Sequence, residues 1–305
     1  MKKTAVLVLA LAAFSVSAQS YMKDKAFYVF SDGFAAKVEA DGKISWRSPR
    51  ITQVGDLWAF PSSVLFTTYN GVREVGLDGK ELFSYQPADK PQIYACQKLD
   101  NGFYLVAECT KARLIEVNAA GTIRKEIKLN ATGIGGHGFM RVVRKTEAGT
   151  YLVGQLGGKA REYDGDGKLV WSFTNSGFGS AYAAVRLKNG NTMIAFGENE
   201  KASIVEVNPA KEVVWSLTNK DLEGQTDPAV DPLKFATGFF VLPNGNILAS
   251  NWIGHGHLGK SSAMFEINRD KKIVWAYANH AEFKTVSSVF PMDAKGNPLD
   301  GNGVH

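Results

Sequence analysis

Cysteine is scarce in this chain: Cys96 and Cys109 are the two in 305 residues. That excludes a disulfide scaffold and a Cys-rich zinc fold. Too far along a hairpin to meet, at ~7–10 Å by strand rise, the two thiols are expected to be free. No apolar run reaches the ~20 residues of a membrane span, so no membrane insertion is expected. Neither sign of charge dominates, with 35 Lys and Arg against 30 Asp and Glu. So small and scattered an excess argues against nucleic acid as a partner. No Ser-His-Asp order, P-loop or dinucleotide fingerprint stands in a supporting context. What the chain does have is 45% hydrophobic residues and 31 glycines, a globular composition with ample core.

The longest apolar run, residues 4–14, follows Lys2 and Lys3 and precedes Val16-Ser17-Ala18. A positive start, an apolar stretch and small residues before a cut are the parts of a secretory leader. Residues 1–18 are therefore expected to be a signal peptide cleaved after Ala18, leaving 19–305 as a single domain. The protein is expected to be periplasmic or secreted, and monomeric.

A repeat fills the remainder. Six triplets lead to a final position nine residues beyond their middle one: Lys37 to Trp46, Glu74 to Phe83, Glu116 to Lys125, Glu162 to Trp171, Glu206 to Trp215 and Glu266 to Trp275. An invariant offset is a hairpin of fixed length, and the turns between carry Asp-Gly or Ala-Gly pairs such as Asp41-Gly42 and Asp166-Gly167. A second hairpin precedes most of these, turning at Asn101-Gly102, Asn189-Gly190 or Asn244-Gly245. Each unit is thus four antiparallel strands, a to d, recurring every 37 to 60 residues, the period of propeller blades. The first unit lacks an a strand, and an orphan strand at 286–290 follows the sixth. The expectation is an all-β, six-bladed β-propeller of four-stranded antiparallel blades, closed by that C-terminal strand completing the first blade. The motif tryptophans are expected to pack between blades, and the five repeated glutamates to bond blade to blade.

Gly167-Lys168-Leu169-Val170-Trp171-Ser172-Phe173 resembles the tryptophan motif of quinoprotein-type (PQQ-like) β-propellers. With residues 242–249, Leu-Pro-Asn-Gly-Asn-Ile-Leu-Ala, the unit is most similar to repeats of arylsulfotransferase-like propellers. PQQ enzymes of this group have eight blades and an adjacent cysteine pair. Six units and two distant cysteines point to no such cofactor, and none is expected. The arylsulfotransferase likeness implies a histidine-rich channel mouth with a histidine nucleophile, for which His255 or His257 is the nearest counterpart.

Connectivity sorts the loops. The a–b and c–d turns, short and regular, share one face; the longer b–c and d–a loops share the other, where function usually sits. His137, His255, His257 and His280 all map to that second face, while His305 falls outside the pattern. Trp252 lies in the same Asn251–His257 stretch and offers a flat surface for a sugar or aromatic ring. Ligand-binding candidates are therefore Trp252, Asn251, His255, His257 and His137; His255, His257, His137 and His280 are the catalytic candidates should the protein be an enzyme. His255 and His257 are two apart, not a zinc spacing, so no metal is expected. Asp32, Asn70, Glu108, Gln155, Glu198 and Asn199 occupy the other b–c positions. The reading is an exported binding protein whose ligand, a small polar molecule, a glycan or a protein, sits on this face. The alternative is a transferase, lyase or hydrolase with a histidine site at the channel mouth.

Overall fold

A computed structural model describes residues 20–51, 55–130, 138–225 and 233–305. The expected leader, 1–18, and His137 lie outside the described residues. Blade one consists of β1 (Phe27–Ser31), β2 (Phe34–Val38) and β3 (Ile44–Arg47), and blade two of β4 (Leu57–Ala59), β5 (Ser63–Thr67), β6 (Val72–Gly76) and β7 (Glu81–Tyr85). Blade three holds β8 (Ile93–Lys98), β9 (Tyr104–Glu108), β10 (Arg113–Val117) and β11 (Ile123–Lys128); blade four holds β12 (Val143–Lys145), β13 (Tyr151–Gln155), β14 (Lys159–Tyr163) and β15 (Leu169–Thr174). Blade five is β16 (Ala181–Arg186), β17 (Thr192–Phe196), β18 (Ser203–Val207) and β19 (Val213–Thr218), and blade six is β20 (Ala236–Val241), β21 (Ile247–Asn251), β22 (Met264–Ile267) and β23 (Ile273–Tyr277). The last strand, β24 (Val286–Pro291), pairs antiparallel with β1, Val29 opposite Val289, and supplies the missing inner strand of blade one. The molecule is the six-bladed propeller that the repeat implies.

The second strand of every blade is buried along its whole length. It is covered on both faces by neighbouring blades, which is why stretches such as Leu105-Val106-Ala107 are continuously apolar rather than alternating. All six nine-residue offsets are direct cross-strand pairs: Lys37 faces Trp46, Glu74 Phe83, Glu116 Lys125, Glu162 Trp171, Glu206 Trp215 and Glu266 Trp275. A β-bulge follows each pair and leaves one outer-strand residue without an opposite number. Bulges of this kind increase local twist. In the turns beyond, the fourth residue is left-handed. Gly42, Gly79, Gly121 and Gly167 hold it in blades one to four with φ between 75° and 87°, but Lys211 (69°) and Lys271 (63°) hold it in blades five and six.

The repeated glutamates join neighbours. Glu74 accepts from Ser63 of its own blade and from Lys98 and Tyr104 of the next. Glu116 accepts from Lys145 and Tyr151, Glu162 from Arg186, and Glu206 from Arg269 at 2.7 Å. Burial opposes ionisation of Glu74, but the hydrogen bonds from Ser63, Tyr104 and Lys98 outweigh it and hold the carboxyl below its usual range. At the closing seam Glu266 receives Ser20 Oγ and the backbone N–H groups of Tyr21 and Met22, at 2.7–2.8 Å. The chain just before blade one therefore clasps blade six. The residues opposite the glutamates also reach across. Phe83 stacks on Tyr104 at 3.7 Å, Trp171 and Trp215 lie under Arg186 and Arg269, and Trp275 meets Phe27 edge-on. Trp46 differs, resting on Tyr28 of its own blade. Cys96 pairs with Val106, and the two buried cysteines form no disulfide with each other.

Two outcomes follow from these joints and turns. Glu116→Ala should cost about 2–3 kcal/mol, since it strands the Lys145 ammonium and the Tyr151 hydroxyl; urea denaturation measures this, and a loss below ~0.5 kcal/mol would refute the joint. Lys211→Gly should stabilise by up to about 1 kcal/mol, because relief of the left-handed strain exceeds glycine's entropic cost. A lower urea midpoint in that variant would contradict it.

Candidate functional site

The two ends of the channel are built differently. At the a–b end, residues 292–305 turn under the ring. The turn at Asp293 repeats the a–b pattern, with Asp293 N to Asn297 O at 2.7 Å, and then Leu299 bonds back to Pro291 and Val241 N–H donates to Val304 O at 2.9 Å. Gly301 passes so close to Trp58 and Phe290 that a Cβ would sit about 3 Å from both rings. His305 then enters the channel. Its ring lies 5.2 Å from Trp58 and from Phe290 and 5.6 Å from Phe240, with Nε2 3.1 Å from Leu57 O. Arg144 donates to both oxygens of Asp56, at 2.6 and 2.9 Å, and from Nε to the His305 carbonyl at 2.7 Å. A cavity of ≈ 10 Å³ remains above, lined by Asp56, Arg144, Thr237, Ser288 and His305 among others, room for about one water.

The opposite end carries the b–c and d–a loops, and here rings run from blade to blade. His255 meets Trp252 edge-on at 4.7 Å; Trp252 meets Phe235 at 5.8 Å, and Phe235 meets Tyr182 at 5.7 Å. Tyr182 and Tyr94 flank the Arg141 guanidinium at 5.5 and 4.2 Å, and Tyr69 meets Tyr94 at 6.3 Å. The row thus spans blades two to six. Two glycines permit it: a Cβ on Gly254 would lie 2.2 Å from the Trp252 ring, and one on Gly197 2.2 Å from the Phe235 ring. Burial pushes the Tyr182 phenol up to about 12, so it stays a neutral hydrogen-bonding group.

The histidines expected on this face are distributed as follows. His255 is exposed, with φ 50°. His257 is half-buried, its N–H closing a turn to Gly254 O at 3.3 Å. His280, half-buried, follows β23, and its Nδ1 has no partner among the described residues. Trp252 and His255 are in direct contact, whereas His257 and His280 make no ring contact with them. Asn251 is fully buried. Its Oδ1 accepts from the N–H groups of Lys234 and Phe235, and its Nδ2 donates to Ser262 O and Ser261 Oγ. Its amide is engaged at both ends and places Phe235 under Trp252.

The remaining polar b–c residues hold the scaffold. Glu108 is buried between Tyr85 and Arg113, Asn70 ties down Lys90 and Pro91, Gln155 reaches Tyr163, and Glu198 accepts from Ser180. Asp32 is exposed. Among the described residues no three His, Cys, Asp or Glu side chains converge to hold a metal, and no helix there is long and apolar enough to cross a membrane. The sequence reading missed His305, Asp56 and Arg144 at the closed end and Tyr94, Arg141 and Tyr182 in the row. None of them repeats from blade to blade, so periodicity carries no signal for them.

No family model matches the chain, and no curated protein sequence matches it. Among solved structures, a protein of unknown function from Bacteroides caccae is 24% identical, with a TM-score of 0.76 over 88% of this chain and 98% of that one. Virginiamycin B lyase from Staphylococcus aureus is 12% identical, with a TM-score of 0.56 over 90% of this chain and 94% of its own. The WD40 propeller domain of Doa1 is also 12% identical, with a TM-score of 0.56 over 76% and 73%. These likenesses establish the propeller fold.

Asn251→Ala should cost about 2–3 kcal/mol, since it leaves the Lys234 and Phe235 N–H groups unpaired in a buried place. Chemical denaturation reads the loss. An unchanged midpoint would mean that the loop before blade six is held by something else.

Proposed function

We propose that this is an exported β-propeller that binds a small ligand carrying a sugar or aromatic ring on the b–c and d–a face. One observation carries the reading: the ring row from His255 and Trp252 to Tyr69 lies at the end of the channel opposite to residues 292–305. Aromatic faces and edges recognise planar or CH-rich ligands, and a positive guanidinium between two tyrosines adds a site for a polar or negative substituent. Export rests on the leader pattern of residues 1–18 and implies a periplasmic or secreted protein. The likeness of the repeat to quinoprotein and arylsulfotransferase-like propellers belongs with this reading and adds no cofactor to it.

The second reading is an enzyme, a transferase, lyase or hydrolase, with His255, His257, His280 and His137 as its histidines. The contact of the His255 imidazole with Trp252, where a bound ring would lie, favours keeping it. A lyase occurs on this fold among the similar structures, although fold does not fix activity.

A thermal-shift screen of sugars, glycosides and aromatic acids tests both. A ligand that raises Tm in the native protein should lose at least tenfold in affinity with Trp252→Ala or His255→Ala. The unliganded Tm should stay within about 2 °C, because changes in exposed loops cost little stability. Full binding by both variants would sink the proposal. Conversion of the bound compound, followed by mass spectrometry and abolished in His255→Ala, would select the enzyme.

A further inference from the structure

We propose that residues 292–305 form an acid-released stopper of the central channel, with the His305 side chain as its sensor. The inference is independent of what binds at the other face. The stopper packs Met292, Leu299 and Val304 against the core of the ring and makes few main-chain bonds to it. Beyond its turn Leu299 N–H donates to Pro291 O, while Val304 O and His305 O accept from Val241 N–H and Arg144 Nε, and among the described residues its one strand-like pairing is the Met292–Pro298 bridge. What seats its tip is the imidazole, 5% exposed, wedged among Trp58, Phe240 and Phe290.

That place suits a neutral ring and not a charged one. From β20 it faces Phe239 and Phe240, and from β24 Ser288 and Phe290, none of them charged. From β12 it faces the Arg144 guanidinium. At the start of β4, Asp56 is the one nearby acidic side chain, with Oδ1 4.0 Å from Nε2, and the main-chain carboxyl oxygen of His305 itself is taken by Arg144 Nε. But Asp56 is already engaged: both oxygens accept from Arg144, Oδ1 also from Leu57 N–H and Oδ2 from Cys96 N–H. Cys96 on β8 is neutral, its thiol raised well above its ordinary value by burial. Arg186 on β16 is paired with Glu162. The adjoining cavity admits about one water, too little to hydrate an imidazolium. In keeping with this, burial and then the Arg144 charge hold His305 down from 6.5 to about 4, against a smaller pull from Asp56.

The sign follows from linkage. A released His305 protonates near 6.5 and a seated one near 4. Seating is therefore strongest above pH 6.5, and the closed-to-open ratio falls as pH drops from there toward 4, by about tenfold per unit. Between pH 7.5 and 5 the loss is about thirtyfold.

Hydrogen exchange on the intact protein tests this, after correction for intrinsic rates. Protection of the Val304 and His305 amides should fall about thirtyfold between pH 7.5 and 5, while amides of β13 and β17 keep theirs. In His305→Phe the tail should remain protected at both pH values. Equal protection of the native tail at pH 7.5 and 5 would overturn the proposal, as would the same acid loss in His305→Phe. Should that variant fail to fold, NMR titration of the native His305 ring decides. Titration well below 6 supports the stopper, and titration near 6.5 refutes it.

Discussion

A carboxylate on the third strand of one blade, bonded into the next, is the joint on which the ring depends. Glu74, Glu116, Glu162, Glu206 and Glu266 each accept from partners across a blade boundary. Because the carboxylate is buried, its partners cannot be lost without stranding charge, which fixes the distance between blades. The same requirement explains why the glutamate and the hairpin length recur together, with a ring opposite four of the five glutamates and Lys125 opposite Glu116. Lys37 is the departure, turning to Glu39 instead. At that boundary, between blades one and two, Ser287 bonds both backbone groups of Gly55, and Phe290 packs on Trp58. At the opposite seam the chain ahead of blade one fills in, with Tyr21 and Met22 clasping Glu266. Blade one is thus held by both ends of the chain.

Outer joints of this kind release the inner strands from any common pattern. The first strand of each blade lines the channel, and its inward side chains need not match those of its neighbours. Arg141 and Arg144 come from blade four, Asp56 from the edge of blade two, Tyr182 from blade five and Ser288 from blade one. A symmetric scaffold thereby encloses an asymmetric channel. One end carries rings, and the other is filled by the tail.

This division also decides what could be read from sequence. The blade count, the strand order, the closing strand and the turns were legible because each rests on a repeated local rule: positive φ after Asp or Asn, a fixed hairpin length, a recurring Glu. Lys211 and Lys271 break the glycine rule without breaking the turn, since ion pairing such as Lys271 with Asp221 and the surrounding hairpin hold them there. The face holding Trp252 and His255 followed from connectivity alone. The depth of Asn251 did not, because an asparagine beside a glycine-rich loop reads the same whether it faces solvent or ties two loops together. His305 was invisible for another reason. Its place depends on the tail crossing beneath the ring, a contact between distant parts of the chain that no local pattern encodes.

The buried Arg144–Asp56 pair ties these points together. Such a pair contributes little net stability, because desolvation offsets most of its attraction. Its effect here is positional. Asp56 collects the N–H groups of Leu57 and Cys96 and so aligns the inner strands of blades two and three, while Arg144 reaches from blade four to the carbonyl of His305. The pair thus spans three blades and the tail at the point where the outer joints exert no control. A neutral imidazole completes that arrangement, and an added proton would set a second cation against Arg144 with no unengaged acidic side chain to answer it. The asymmetry of the channel and the pH sensitivity of its closed end therefore have one origin: a single acidic side chain shared between two bases in a space with room for about one water.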